Sequence, residues 1–172
     1  KKNIKLLSGK PLIAWTITEA KKTKLITKVI VSTDSQEIAE IAQSYSAEIP
    51  FLRPSKISRD ETPGVQTALH AINQLPYYEW VLFLQPTSPF RSYEDIEGII
   101  SFARGKNINS IVSVNQIKVN PYIIFEKDNK HKLTPIVSDK KVFNRQELNQ
   151  YYKINGALYL CKTSWLLRNK VF

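Results

Sequence analysis

The sequence predicts a doubly wound α/β fold built on a mainly parallel sheet, with a small β arm attached. Two observations carry this prediction. Between residues 10 and 114, segments with helical periodicity alternate with short apolar runs of strand length. The run Trp80-Val81-Leu82-Phe83-Leu84 is apolar throughout, which is typical of a strand buried on both faces. After Val114 the alternation stops and short extended pieces surround polar turns. The architecture is therefore Rossmann-like.

The first half of the chain has clear helix boundaries. Pro11 suits a first helical turn, and Lys21 and Lys22 suit the C-terminal end of the same helix. The elements that follow are a strand over 28–32, a helix over 36–44 capped by Ser35, a strand-like segment over 47–51 and a loop over 52–60.

The second half continues the pattern and then departs from it. A helix opens at Thr62-Pro63-Gly64, and another begins at Ser92 or Tyr93 with Ile96, Ile99, Ile100 and Phe102 facing inward. The remaining elements are strands over 110–114 and 154–160, an extended pair over 120–126 and 132–136, and a last helix through Leu167 that Thr163 and Ser164 cap.

Composition bounds the class of protein. The 172 residues, 42% of them hydrophobic, suit a single domain over 1–172. No apolar run is long enough for a membrane span and no leader is recognisable, so a cytoplasmic location without a membrane partner is expected. The only cysteine, Cys161, lies in an apolar stretch and is expected to be a buried thiol. The net charge of +10 is concentrated in lysines of the first 28 residues, where a solvated helix face explains it without nucleic-acid binding.

Polar residues follow the predicted strands where ligands bind in open α/β sheets. Gln85-Pro86-Thr87-Ser88 leaves the strand as a stiff loop, because proline cannot extend a ladder; the alternative is an ordinary loop. Asp34 either orients a metal or ligand or caps the next helix. Arg53 either grips a phosphate or carboxylate or is a surface arginine. Asn155-Gly156 marks either a close approach of backbone to ligand or a tight turn.

Several common catalytic motifs are missing from the sequence. Neither His70 nor His131 has a partner pattern for nucleophilic catalysis, and there is no Walker loop, GxGxxG or zinc spacing. Spacing alone therefore indicates an α/β domain with a polar cleft at the strand ends.

The ordered set of motifs resembles the acylneuraminate cytidylyltransferases, the CMP-sialic acid synthetases and their relatives. The matching segments are Lys2-Asn3-Ile4-Lys5, Gly9-Lys10-Pro11-Leu12-Ile13, Val31-Ser32-Thr33-Asp34, Phe51-Leu52-Arg53-Pro54, Leu84-Gln85-Pro86-Thr87-Ser88-Pro89, Val112-Ser113-Val114, Asn144-Arg145-Gln146 and Asn155-Gly156-Ala157-Leu158-Tyr159. They cover nearly all of the chain. The resemblance implies a nucleotide-diphospho-sugar transferase-like fold and transfer of CMP from CTP to the anomeric hydroxyl of a sialic or related nonulosonic acid, with release of pyrophosphate, in the pathway to surface polysaccharide.

The resemblance also implies roles for individual residues. Lys2 and Gln85 are the expected catalytic residues. The nucleotide is expected to meet Lys2, Asn3, Asp34, Arg53 and Gln85, and the sugar Gln85, Arg145, Asn155, Tyr159 and Phe172. Phe172 is expected to reach the sugar pocket of a partner subunit in a homodimer, and residues 119–149 to form the dimerisation excursion.

The same resemblance implies that the chain is incomplete at both ends. A first strand and a phosphate loop with Gly, Ser and Lys are expected before Lys2, and the Mg²⁺-binding carboxylates after Phe172, so no metal ligand is expected in 1–172. Pro63-Gly64 stands where sialic-acid members have two small hydroxyl residues, which points to a subgroup with a different sugar. The alternatives are a non-catalytic nucleotide-binding or interaction domain of the same fold and, less favoured, a nucleic-acid-binding protein.

Overall fold

The structure, a computed structural model, describes residues 2–137 and 150–172. Its helices are α1 (Leu12–Lys22), α2 (Gln36–Ser44), α3 (Gly64–Asn73), α4 (Tyr93–Ala103) and α5 (Thr163–Asn169). Its strands are β1 (Leu6–Leu7), β2 (Lys10–Pro11), β3 (Trp80–Phe83), β4 (Ser110–Ile117), β5 (Phe125–Lys127), β6 (Leu133–Pro135) and β7 (Tyr151–Lys162). The predicted α/β class is confirmed.

The chain forms two compact units, Lys1–Ser113 with Gly156–Phe172, and Val114–Asn155. In the first unit α1 packs against α2 and α4, and α3 packs against α5. The apolar core of this unit has three clusters, centred on Ile17, Ile96 and Leu166, whose side chains are fully or almost fully buried. Cys161 belongs to the third cluster, which confirms the prediction of a buried thiol.

Local capping signals explain why the helix boundaries were predictable. The Ser35 side chain accepts a hydrogen bond from the Ile38 amide and caps α2. Ser92 and Asp95 form a reciprocal capping box at the start of α4. Because Ser35 caps α2, the alternative in which Asp34 is the cap is wrong.

The larger sheet has the strand order β3-β7-β4. β7 runs antiparallel to β3, with Val81 opposite Cys161 and Phe83 opposite Tyr159. On the other side of β7, the Lys162 amide donates to the Asn109 carbonyl and the Leu158 amide to the Ser113 hydroxyl. Residue numbers rise along β7 as those of the partners fall, so β7 also runs antiparallel to β4. The described strand pairs of this sheet are therefore antiparallel, and the mainly parallel, doubly wound arrangement stays a prediction.

The predicted strand over 28–32 is wrong as a full strand, because it makes a single parallel bridge, between Ile30 and Glu48. The Val31 amide donates to the Glu48 carbonyl and the Glu48 amide to the Val29 carbonyl. Since backbone groups alternate in direction along an extended chain, those of Ile30 and Ser32 point the other way. Ile30 and Ser32 line a cavity of about 700 Å³, and Leu82 and Leu84 are also among its lining residues.

The second unit contains a β-hairpin in which β5 pairs antiparallel with β6. Asp128 forms its turn, accepting hydrogen bonds from the Lys130 and Lys132 amides. The hairpin falls within the predicted excursion over 119–149, of which residues 138–149 lie outside the described part.

Two further predictions need correction. Phe102 was expected to face inward, but it is 55% exposed, although the next residue, Ala103, is buried. Thr163 was expected to cap α5, but Thr163 is the first helical residue and its hydroxyl donates to the Tyr78 carbonyl. No described helix is long and apolar enough to cross a membrane.

Candidate active site

Gln85 lies two residues beyond the end of β3, where the chain leaves the sheet. Its carbonyl accepts a hydrogen bond from the Ser88 amide at 3.3 Å, which closes a turn around Pro86 and Thr87. The side chain is half-buried and reaches β7, where Oε1 lies 3.4 Å from the position that a Cβ at Gly156 would occupy. The predicted loop thus places an amide against the backbone of the neighbouring strand.

Gly156 has a φ of +80°, in the left-handed region that favours glycine. A side chain there would also come within 3.9 Å of the Tyr159 hydroxyl. Gln85, Gly156 and Tyr159 therefore lie together. Gly156 lies within β7, so the tight-turn alternative is wrong, and the close approach of its backbone to a ligand stays a prediction.

An aromatic cluster lies beside this group. The rings of Phe83 and Phe172 stack with centroids 5.1 Å apart, and Tyr159 lies 5.1 Å from Phe172 and 6.1 Å from Phe83. Phe172 here contacts its own chain, and its predicted role in a partner's sugar pocket stays a prediction.

Arg91 ties the loop to the elements around it. Its guanidinium donates to the Ala157 carbonyl at 2.5 Å and to the Thr16 hydroxyl of α1 at 2.9 Å, with the residue only 6% exposed. Desolvation by burial lowers the pKa of Arg91 to about 10, and Asp95 partly offsets this. Arg91 therefore fixes the loop after Gln85 against the strand that carries Gly156.

Arg53 and Asp34 form a second polar group. The Arg53 amide donates to the Thr33 carbonyl at 2.8 Å, which places the side chain beside the residues that follow the bridge at Ile30. Its Nη2 lies 3.9 Å from Oδ1 of Asp34, and the Arg53 side chain is 20% exposed. Arg53 is thus an anchored cation beside Asp34 rather than a free surface arginine.

The other predicted site residues lie on other elements of the chain. Lys2 and Asn3 lie on a short 3-10 helix (Lys2–Ile4) that contacts α1 and α2. Asn155 lies in the second unit, where its amide donates to the Asn115 side chain at 2.9 Å. Arg145 lies outside the described residues.

The family model described as Cytidylyltransferase matches residues 1–170. The chain belongs to the cytidylyltransferase family. It is 34% identical to CMP-N,N'-diacetyllegionaminic acid synthase of Legionella pneumophila, over 99% of this chain and 75% of that protein. It is also 34% identical to an N-acylneuraminate cytidylyltransferase of Escherichia coli, over 99% of this chain but 41% of that protein. These similarities confirm the predicted resemblance.

A solved structure gives the same fold for this cytidylyltransferase. The CMP:2-keto-3-deoxy-manno-octonic acid synthetase, in a complex with CTP, superposes with a TM-score of 0.72 at 16% identity, over 98% of this chain and 70% of that one. At that identity the likeness concerns the fold alone.

Sequence reasoning missed the residues that hold the predicted ones in place. Nothing in the sequence near Arg91 indicates that its side chain reaches Thr16, 75 positions away. Nothing in the sequence around Thr67 indicates that its hydroxyl accepts a hydrogen bond from Arg53. The position of Arg91 directly after a proline-bracketed loop is the signal that the sequence offers.

Proposed function

We propose that this protein transfers CMP from CTP to the anomeric hydroxyl of a nonulosonic acid, a sialic acid or a relative such as a legionaminic acid, and releases pyrophosphate. The observation that carries the proposal is the Gln85–Gly156–Tyr159 group at the end of β3. The names of the relatives that match along almost the whole chain support the substrate class.

The reaction forms a bond between the anomeric oxygen and the α-phosphorus and breaks the bond from that phosphorus to the pyrophosphate oxygen. The sugar hydroxyl loses its proton in the same process. The chain's part is mainly positioning and electrostatic stabilisation. The Gln85 amide offers one acceptor and two donors to orient the sugar, and Gly156 leaves its backbone open to a ligand. Arg53 supplies positive charge for a phosphate.

Magnesium is part of the proposal, with its ligands expected outside residues 1–172. Across 2–137 and 150–172, no group of three or more His, Cys, Asp or Glu side chains can hold a metal ion. We derive no step through the ion.

We further propose that a strand from outside residues 1–172 fills the cavity between Ile30 and Leu82. The Thr163 amide bonds the Glu79 carbonyl, so Glu79, Val81 and Phe83 direct their backbone groups to β7. The backbone groups of Leu82 and Leu84 then point away from β7. These two residues line the cavity together with Ile30 and Ser32. A strand there would pair with both edges and cover their half-exposed apolar side chains.

Hydrogen exchange of the full-length protein tests the strand. The amides of Ile30 and Leu82 should exchange as slowly as that of Val31, which is already hydrogen-bonded. Rapid exchange at both, next to a protected Val31, would show that the cavity stays unfilled.

A homodimer is proposed from the second unit. Its hairpin region exposes Ile123, Phe125, Leu133 and Ile136 by 48–67%, an apolar surface that suits burial against a second copy. Sedimentation of the full-length protein should give a dimer, and Phe125→Lys with Leu133→Lys should give a monomer. An unchanged dimer would place the interface elsewhere.

The proposed activity is tested by kinetics of the full-length protein with CTP and a panel of nonulosonic acids. Gln85→Ala should lower kcat/KM for the sugar about tenfold, the value of one hydrogen bond at its upper range. Gln74→Ala, which removes the same side chain from an exposed position at the end of α3, is the matched control. Equal kinetics for the two variants would remove Gln85 from the site, and absence of any CMP-sugar would favour a non-catalytic nucleotide-binding domain.

A further inference from the structure

The Arg53 guanidinium is held by hydroxyl groups from two different elements. Its Nε donates to the Ser58 hydroxyl at 3.0 Å, and its Nη1 donates to the Thr67 hydroxyl of α3 at 3.1 Å. Ser58 is itself fixed, because its hydroxyl donates to the Pro54 carbonyl at 3.0 Å. With the main chain also bonded to Thr33, the cation cannot swing freely. Ser58 and Thr67 are therefore positioning residues for Arg53.

This arrangement leaves part of the guanidinium available. An arginine has five N–H donors, and the hydroxyls of Ser58 and Thr67 occupy two of them. The nearest anion is Asp34, whose Oδ1 lies 3.9 Å from Nη2, beyond hydrogen-bond length. Among the hydrogen bonds of the described residues, none uses the Asp34 carboxylate. Arg53 thus combines a fixed geometry with donors that no strong partner satisfies.

Asp34 is placed to move without disturbing the fold. Its side chain is 48% exposed, and the neighbouring backbone is fixed independently by the Ser35 amide bonded to the Thr33 hydroxyl. An exposed ion pair of this length contributes little to stability. The carboxylate can therefore turn toward solvent at low cost.

We propose that Asp34 is a resident anion that neutralises Arg53 until an oxyanion of the nucleotide takes its place. The inference rests on the proposed function, because it takes the incoming ligand to be a phosphate group. A phosphate bound at Nη2 would meet the negative charge of Asp34 nearby, so Asp34 must withdraw for the anion to bind. Asp34 then limits anion affinity, whereas a residue that contacts the nucleotide would raise it.

Titration calorimetry on the full-length protein tests the sign of the effect, with CTP and with inorganic pyrophosphate as probes, in EDTA. Asp34→Asn should tighten binding of both about two- to fivefold, the range for an exposed ion pair. Thr67→Val should weaken binding of both probes, because the Arg53 Nη1 loses the hydroxyl that fixes its position. The gain from Asp34→Asn should shrink at high salt, since the carboxylate is exposed.

The control is Glu126→Gln, which removes the same charge from an exposed position on β5. It should leave both dissociation constants at the wild-type value. Weaker or unchanged binding by Asp34→Asn, an equal gain from Glu126→Gln, or no binding of either probe would overturn the inference. Tighter binding by Asp34→Asn without any CMP-sugar product would instead reject the proposed function and leave this inference standing. CMP-sugar formation without tighter binding by Asp34→Asn would reject this inference and leave the proposed function standing.

Discussion

At Gly156 the addition of one methyl group tests backbone strain alone, because the space around the residue accepts a Cβ. Its φ of +80° costs an L-residue about 1–2 kcal/mol. The added Cβ would lie 3.4 Å from Gln85 Oε1 and 3.9 Å from the Tyr159 hydroxyl, both ordinary contact distances. Gly156→Ala should therefore lower the free energy of unfolding by about 1–2 kcal/mol, almost entirely through the backbone.

Urea denaturation of the full-length protein, followed by tryptophan fluorescence, measures this change. With a slope of about 1–3 kcal/mol per molar urea, the midpoint should fall by roughly 0.3–2 M. Gly98→Ala is the matched control, because Gly98 lies within α4 and a Cβ there meets nothing within 4 Å. That variant should gain about 0.5–1 kcal/mol. Equal stability of Gly156→Ala and wild type, or a shift of the same sign in both variants, would refute the reasoning.

Three further predictions concern packing and protonation. Gly64→Ala should destabilise the protein by about 1–3 kcal/mol, because the added Cβ would lie 3.0 Å from Cζ of Phe83. The Phe83 ring is packed against Tyr159 and Phe172. An unchanged urea midpoint would show that the ring can move away. Burial raises the pKa of Cys161 to about 11 from an ordinary value of 9.0. Between these two pH values the folded state keeps a proton that the unfolded state loses. The free energy of unfolding should therefore fall as the pH rises from about 9 toward 11. Because Arg91 titrates near 10 with the opposite effect, the slope is best measured between pH 8 and 10 as the difference between wild type and Cys161→Ala; identical slopes would contradict the shift. Arg91→Lys should cost about 1–3 kcal/mol, since an ammonium cannot hold both Ala157 and Thr16 in the same geometry, and wild-type thermal stability would contradict it.

Helix boundaries were predictable because their signals are local. Ser35 and Ser92 lie directly before the helices that they cap, and Lys21 and Lys22 lie in the last turn of α1. Phe102 was misplaced because a residue between two buried positions of a helix can fall on either side of the apolar stripe.

Strand pairing was less predictable, since it depends on residues far apart in sequence. The apolar run over 28–32 has the composition of a strand, but in the described chain only one of its edges is paired. The composition of β7 does not reveal that it runs antiparallel to β3. Pattern indicates that a segment is extended, whereas the tertiary structure decides its neighbours and direction.

The candidate site divides in the same way. Gln85 was predictable, because a proline directly after a buried strand marks the exit from the sheet. Its proximity to Gly156 was not, since 71 residues separate them along the chain and no local signal joins them. The sequence likewise suggests that Arg53 and Asp34 bind a ligand, but only the contacts with Ser58 and Thr67 show which of them is held in place.

The most direct test of CMP transfer follows the anomeric oxygen itself. The full-length protein is given CTP and a nonulosonic acid labelled with ¹⁸O at the anomeric hydroxyl, and the products are analysed by mass spectrometry. Attack of that hydroxyl on the α-phosphorus predicts that the label stays in the CMP-sugar and that one unlabelled pyrophosphate forms per CMP-sugar. Loss of the label from the CMP-sugar, or CTP binding without any CMP-sugar across the panel of nonulosonic acids, would contradict the account.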